Sequence, residues 1–166
     1  ITDDYKLLLP PIGKGSFGEV RQAIQRKTKQ QRAVKIIYKE SYSPQEQELL
    51  INEINILKTL DHPNIMKVIE FYQDEKNFYI VSELYTGGEL FDKILELEVF
   101  SEAEAAKTLR QILSAVYYCH QNKIVHRDLK PENILYESRR AGALLKVIDF
   151  GTSKVFDDKT KMKQRL

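Results

Sequence analysis

In the first third of the chain, apolar positions alternate in the manner of β-strands. Tyr5 to Leu9 is an apolar run that Pro10-Pro11 interrupts. In "IGKGSFGEVRQAIQ" the positions Val20, Gln22 and Ile24 recur at period two. "RKTKQQ" is a polar turn, and "RAVKIIYK" is rich in β-branched residues, so a further strand is expected there. The period then changes. Ser43, Pro44 and Glu46 supply an N-cap, a first-turn proline and a capping box, and Leu50, Ile54 and Leu57 follow at helical spacing. "DHPN", Asp61 to Asn64, ends that helix.

Two strands are predicted next, Met66 to Tyr72 and Phe78 to Leu84, joined by the polar "QDEKN". Gly87-Gly88 opens a short helix over Leu90 to Leu97. A second capping box, Ser101 with Glu104, starts a long helix whose predicted apolar face is Ala105, Leu109, Ile112, Val116 and His120. Short strands around Ile134 to Tyr136 and Leu144 to Ile148 follow. A strand-rich first part with one helix thus precedes a helical part with a small strand insert. The fold class expected is α+β, as two lobes joined near Glu83 to Gly88.

Composition narrows the classes of function. The 166 residues are 42% hydrophobic and 30% charged, a globular and not a disordered composition. A net charge of +2 calls for neither nucleic acid nor an acidic membrane as partner. No apolar run approaches the roughly 18 residues of a membrane span. The single cysteine, Cys119, cannot form an internal disulfide and fits a reducing, intracellular compartment such as the cytoplasm. The chain begins with Ile1 and shows no signal peptide, as expected of an excerpt or a processed chain.

Four short stretches can carry chemistry. Gly13, Gly15 and Gly18 form G-x-G-x-x-G, in which backbone N–H groups can approach phosphate, although glycines serve turns equally. A dinucleotide-binding loop needs a helix directly after the third glycine. Here the pattern alternates, so a glycine-rich hairpin is expected instead. Lys35 lies in an apolar strand. It is either a snorkelling surface residue or a cation held between phosphate and a carboxylate, and Glu53, on the inward side of the first helix, is the acid available. "HRDLKPEN" packs His126, Arg127, Asp128, Lys130 and Asn133 into eight residues. A solvated loop could hold them, but the apolar runs on both sides favour a buried frame. There Asp128 can act on a hydroxyl proton, Lys130 can offset phosphoryl charge, and Asn133 can ligate a hard cation. Asp149, at a strand end before Phe150-Gly151, offers a second oxygen ligand.

In this order, these stretches resemble the eukaryotic protein kinases: the glycine loop Gly13 to Val20, "AVKI", the helix acid Glu53, "HRDLKPEN" and "DFG". The resemblance spans nearly the whole chain, as a partial kinase domain with an N-lobe at 1–82, a hinge at 83–88 and the first part of a C-lobe at 89–166. It implies a protein-kinase-like two-lobe fold with an antiparallel N-lobe sheet, and transfer of the γ-phosphoryl of Mg-ATP to a protein hydroxyl. Gly13, Lys14, Gly15, Ser16, Phe17 and Gly18 would cover the phosphates, with Ile12 also at the nucleotide, and Lys35 would hold the α- and β-phosphates while paired to Glu53. Asp128 and Lys130 would serve catalysis, and Glu132 would lie at the nucleotide. Asn133 and Asp149 would hold Mg²⁺. Val20, Ala33 and Leu135 would enclose the adenine, with backbone hydrogen bonds from Glu83 and Tyr85. Leu57, Val68, His126 and Phe150 would form an apolar column.

Lys130 in "DLKPEN" matches the serine/threonine branch. "HPNIMKVIEFYQDEKNFYIV", "YTGGELFD" and the long "YESRRAGALLK" insert look most like the calcium-dependent and calmodulin-dependent kinases. That group implies a protein or peptide substrate with a basic residue upstream of Ser or Thr, recognised by Glu89 and Glu132. Acids at a helix start are also ordinary dipole complements. A calcium-sensing module elsewhere in the protein is a further implication; nucleic acid and membrane are not. Arg127 beside Asp128 suggests capture of a phosphate on the activation loop, with Thr160 as one acceptor.

Two positions depart from the family pattern. Ser82 stands where a bulky residue usually guards the space behind the adenine, so a cavity open to large aromatic inhibitors is expected. Thr152 follows "DFG" where leucine is common, which would tilt acceptor preference towards threonine. The chain stops inside the activation segment, before an "APE" motif, and "DDKTKMKQRL" lacks the glycine and closing acid of an EF-hand. A cut end is therefore expected. Two other classes stay open: a nucleotide-binding or scaffolding fragment without turnover, and a dinucleotide oxidoreductase.

Overall fold

A computed structural model describes residues 1–15, 18–96, 100–150 and 153–156. Ser16, Phe17, Leu97, Gly151, Thr152 and Thr160 lie outside the described residues, as does "DDKTKMKQRL" from its first aspartate, Asp157. The chain forms two compact units, Ile1–Asp61 with Met66–Tyr85, and His62–Ile65 with Thr86–Leu166.

The first unit is a six-stranded antiparallel sheet. Its path runs β1 (Tyr5–Leu7), β3 (Gly18–Gln25), β4 (Gln31–Tyr38), β6 (Asn77–Glu83), β5 (Val68–Gln73), and β2 (Gly13–Gly15) also pairs with β3. Alternation assigns the faces. Ala23, Val34, Ile36, Tyr79 and Val81 are buried together with Tyr5 on one side. The opposite face carries Val20 across from Lys35, Lys35 across from Ile80, and Ala33 across from Ser82. Val20, Gln22 and Ile24 are only half-buried.

Glycine is required at Gly18. Its φ is +155°, and a Cβ there would lie 1.9 Å from the Ile36 carbonyl oxygen. Gly15 faces open space. Gly18 opens a strand, as the alternating pattern predicted, and the helix that a dinucleotide fold needs is not there. The oxidoreductase alternative falls with it.

Helix α1 (Pro44–Thr59) starts as expected: the Glu46 N–H donates to the Ser43 hydroxyl, and the Ser43 N–H donates to the Glu46 carboxylate at 2.7 Å. Such a cap contributes about 1 kcal/mol. The helix packs against β5, with Ile54 and Leu57 buried and Glu53 half-buried between them and Leu50.

The second unit is built on α3 (Glu102–Gln121), again started by a capping box, Ser101 with Glu104. Its buried face differs from the prediction. Ala115 and Cys119 are buried, Ile112 and Val116 half-buried, and Leu109 is 53% exposed with His120 also outward. The stripe facing β7 (Ile124–Val125) and β9 (Leu145–Val147) is thus 112/115/116/119, rotated from the predicted one because small Ala115 and Cys119 permit close approach to the strands. β8 (Ile134–Tyr136) pairs antiparallel with β9, and α2 (Leu90–Glu96) closes this hairpin through a cluster of Leu90, Ile134 and Leu145. A short pair of β7 with β10 (Lys154–Val155) completes the unit. No helix among the described residues is long and apolar enough to cross a membrane.

Candidate active site

In the first unit the predicted residues are set by register. The β2–β3 hairpin carries Gly13, Lys14, Gly15, Gly18 and Val20, and the Ile12 N–H donates to the Val20 carbonyl at 2.8 Å. Lys35 is on the half-buried face, flanked across the sheet by Val20 and Ile80, and Ala33 lies two residues before it. Glu53 is on the inward side of α1. Ser82 is buried on β6, and its hydroxyl donates to the Glu83 carbonyl at 3.2 Å. The Tyr85 hydroxyl donates to the Glu83 carboxylate at 3.1 Å and accepts the Lys67 N–H at 3.2 Å, tying the end of β6 to the start of β5.

In the second unit the loop after β7 gathers its polar groups. The Asp128 carboxylate accepts from Asn133 Nδ2 at 2.9 Å and pairs with Lys130 Nζ at 3.0 Å. The Lys130 ammonium beside it holds the Asp128 carboxyl below the usual carboxylate range, helped by the Asn133 amide, and the carboxylate in turn raises the Lys130 ammonium. Asn133 Nδ2 also donates to the Asp128 carbonyl at 2.8 Å. With the nitrogen end committed to Asp128, the amide presents its oxygen as the remaining end.

A buried histidine frames this loop. His126 Nδ1 accepts the Asp128 N–H at 3.3 Å, and Nε2 lies 2.8 Å from the Ile148 carbonyl. A ring that accepts at Nδ1 and donates from Nε2 is the neutral tautomer. Burial pushes its pKa down accordingly, against smaller opposing effects from the Ile148 carbonyl, Asp149 and Asp128. The Phe150 ring meets His126 edge-on at 4.6 Å between centroids, and both are buried. Leu57 and Val68, predicted for the same column, are buried in the first unit.

Ile148 also donates its N–H to the Asn133 carbonyl at 2.9 Å, so the backbones that carry Asn133 and Asp149 are linked. Asp149 follows at φ +55° and Arg127 at φ +68°, a left-handed geometry that non-glycine residues adopt at a cost of about 1–3 kcal/mol. Two such residues around one loop mark a frame held by its surroundings. Leu135 is half-buried on β8, across from Lys146 and bridged to Glu89; Glu132 is exposed in a 3-10 turn, Pro131–Asn133.

The sequence matches a protein kinase domain over residues 8–166. The chain belongs to the protein kinase family. Among curated relatives it is 46% identical to calcium-dependent protein kinase 4 of Plasmodium falciparum (isolate 3D7) over 157 residues, 93% of this chain and 30% of that protein. It is 49% identical to calcium-dependent protein kinase 5 of the same organism over 151 residues, 91% of this chain and 26% of that protein. With the calcium/calmodulin-dependent protein kinase type I of Schizosaccharomyces pombe it shares 43% identity over 166 residues, 95% of this chain and 49% of that protein. The chain thus spans between a quarter and a half of these relatives. Protein kinases as a family use ATP as co-substrate and, in general, a divalent metal.

In the sequence "DHPN" marks the end of a helix and its last three residues open a stretch that carries the family resemblance, but neither gives Asn64 a role of its own. In the structure Asn64 is buried and Nδ2 donates to both the Gln111 side chain at 2.8 Å and the Leu145 carbonyl at 2.9 Å. The one available signal was a histidine and an asparagine flanking Pro63, more polar chemistry than a helix stop requires.

Proposed function

We propose that this domain is the ATP-binding and catalytic-loop part of a serine/threonine kinase that transfers the γ-phosphoryl of Mg-ATP to a protein hydroxyl. The observation that carries the reading is the Asp128 carboxylate, kept ionised by Lys130 and aimed by Asn133 within one loop. Asp128 would orient the acceptor hydroxyl and take its proton, and Lys130 would offset charge on the moving phosphoryl group. Lys35, supported by Glu53, would bind the α- and β-phosphates beneath a cover formed by Gly13 to Gly18, with Ile12 also at the nucleotide. Gly15, which the fold does not require to be glycine, suits close approach to phosphate. Val20, Ala33 and Leu135 would enclose the adenine, the backbones of Glu83 and Tyr85 would hydrogen-bond to it, and Glu132 would lie at the nucleotide. This divides the function into an N-lobe at 1–82, a hinge at 83–88 and a C-lobe portion from 89.

Asn133 and Asp149 fit Mg²⁺. One presents a carboxamide oxygen because its nitrogen is committed, the other a carboxylate, and hard oxygens are what this ion takes. When bound, the metal would neutralise phosphate charge. The relatives' names and Lys130 support a serine/threonine acceptor and calcium control through another part of the protein, and the lone, buried Cys119 suits an intracellular setting. Glu89 and Glu132 would select a basic residue upstream of the acceptor.

The test is phosphorylation of a serine peptide with upstream arginine by the full-length protein. Asp128→Asn should lower turnover by about 10²–10⁴-fold with an unchanged melting temperature. Lys35→Met should abolish the rise in melting temperature that Mg-ATP produces. A wild-type protein that binds Mg-ATP but phosphorylates nothing would instead identify a scaffold.

A further inference from the structure

The strand that leads to Asp149 is held on its outer edge by two residues far from the catalytic loop. β9 has one edge on β8. Its other edge presents Leu145 N–H, Leu145 C=O and Val147 N–H. A strand edge needs partners for such groups. Among the described residues no regular strand supplies them. The Asn64 carbonyl accepts the Val147 N–H at 2.9 Å, and Ile65 forms a single parallel bridge with Val147. Asn64 Nδ2 donates to the Leu145 carbonyl at 2.9 Å, and Gln111 Oε1 accepts the Leu145 N–H at 3.0 Å. Asn64 Nδ2 and Gln111 Oε1 are themselves joined at 2.8 Å. Two side-chain amides thus take the place of a strand.

We propose that Asn64, braced by Gln111, is a positioning residue for the metal-binding pair Asn133 and Asp149, an assignment that rests on the ligand roles proposed above. The link is short. β9 is fixed at Leu145 and Val147 by Asn64 and Gln111. The next residue, Ile148, donates to the Asn133 carbonyl at 2.9 Å and accepts from His126 at 2.8 Å. Asp149 then takes its left-handed φ of +55°, a conformation that persists only where the neighbouring peptides are immobilised. Loss of the Asn64 amide leaves a buried carbonyl and the Gln111 oxygen short of a donor. The edge can then shift, and both backbones that carry the ligands shift with it.

The test is Mn²⁺ binding to the full-length kinase with ADP, followed by the electron paramagnetic resonance of free Mn²⁺, beside the Mg²⁺ dependence of turnover. Asn64→Leu should raise the Mn²⁺ dissociation constant and the Mg²⁺ half-saturation by about tenfold, the low end for an outer-shell change. Gln111→Met should shift both in the same direction, and Gln111→Glu, which keeps the acceptor oxygens, should restore near-normal metal binding. Should Asn64→Leu not fold, the Gln111 pair carries the test unaided. Asp149→Asn is the control. If it weakens Mn²⁺ binding while Asn64→Leu and Gln111→Met only lower the melting temperature, the positioning role is overturned and the metal ligands stand. If Asp149→Asn leaves Mn²⁺ binding unchanged, the ligand assignment fails, and the positioning role falls with it.

Discussion

The two units place their candidate functional side chains by different means. In the first, seven consecutive pairs join β3 to β4 and seven join β4 to β6, so Val20, Lys35, Ala33 and Ser82 are aimed by register alone. In the second, only three pairs join β8 to β9, and Asp128, Asn133 and Asp149 are held by side chains bonded to backbone: His126 to Ile148, Asn133 to Asp128, Asn64 to Leu145. A one-residue slip in the first unit would turn every side chain to the wrong face, and many ladder bonds oppose it. In the second, a single amide or imidazole can release a peptide that carries a proposed ligand. Register is a distributed constraint, and the second unit relies on few atoms.

The strongest challenge to register control is a change at a place where the neighbouring strand leaves no room for a side chain. Gly18→Ala puts a Cβ 1.9 Å from the Ile36 carbonyl, so β3 must move off β4. The expected loss in a denaturant unfolding experiment is about 3 kcal/mol, an overpacking cost with backbone strain added. Gly15→Ala, facing open space, should stay within about 0.5 kcal/mol. Equal losses at the two positions would show that the hairpin and not the β3–β4 contact sets stability.

This division also decides what could be read in advance. Strand alternation and the two capping boxes depend on neighbours in the chain, so the strands of the first unit, α1 and the start of α3 were legible. The glycine hairpin was legible because its flanks alternate. The buried face of α3 was not. Leu109 is more hydrophobic than Ala115 or Cys119, yet the strands beneath need small residues there, and that is a property of β7 and β9. The partners of β9 were missed for the same reason, since an asparagine that completes a sheet edge looks like an asparagine in a turn. Of the loop after β7, the residue types were readable. What escaped was the neutral His126 that bonds to both ends of the frame.

Ser82 tests register from the ligand side. It is buried at 6% exposure, on the face shared with Ala33 and Lys35. Ser82→Met adds bulk at this position, and ATP-competitive inhibitors with a large aromatic group should lose about 10- to 200-fold in potency, the worth of a small steric change in a pocket. The Km for ATP should hold. If potency is unaffected, Ser82 does not border the inhibitor space, and register has been given too much weight.

The smallest effect should separate the units by acid. All three histidines, His62, His120 and His126, are assigned to the second unit. His62 Nδ1 accepts the Asn64 N–H at 3.0 Å, as His126 Nδ1 accepts from Asp128, so both rings are needed neutral. Burial lowers both, with the Lys146 charge adding to the effect at His62, and with Asp149 and Asp128 opposing it at His126. An unfolded histidine takes its proton near pH 6.5 and these do not, so below that pH the unfolded chain binds more protons than the native one. Stability is therefore complete above about pH 6.5 and falls as pH drops towards each folded value, by at most about 1.4 kcal/mol per pH unit for each ring. Glu46 and Asp74 in the first unit are held below their ordinary range, by Ser43 and by Tyr79 respectively. Their contribution persists until pH passes below about 4. Between pH 7 and 5, amide hydrogen exchange corrected for its intrinsic rate should accelerate at Val147 and Ile148 and hold at Val34 and Val81. His62→Gln with His126→Gln should flatten the dependence. Acceleration spread evenly over both units would mean that they open together, and the few-atom frame would then be no weaker than the sheet.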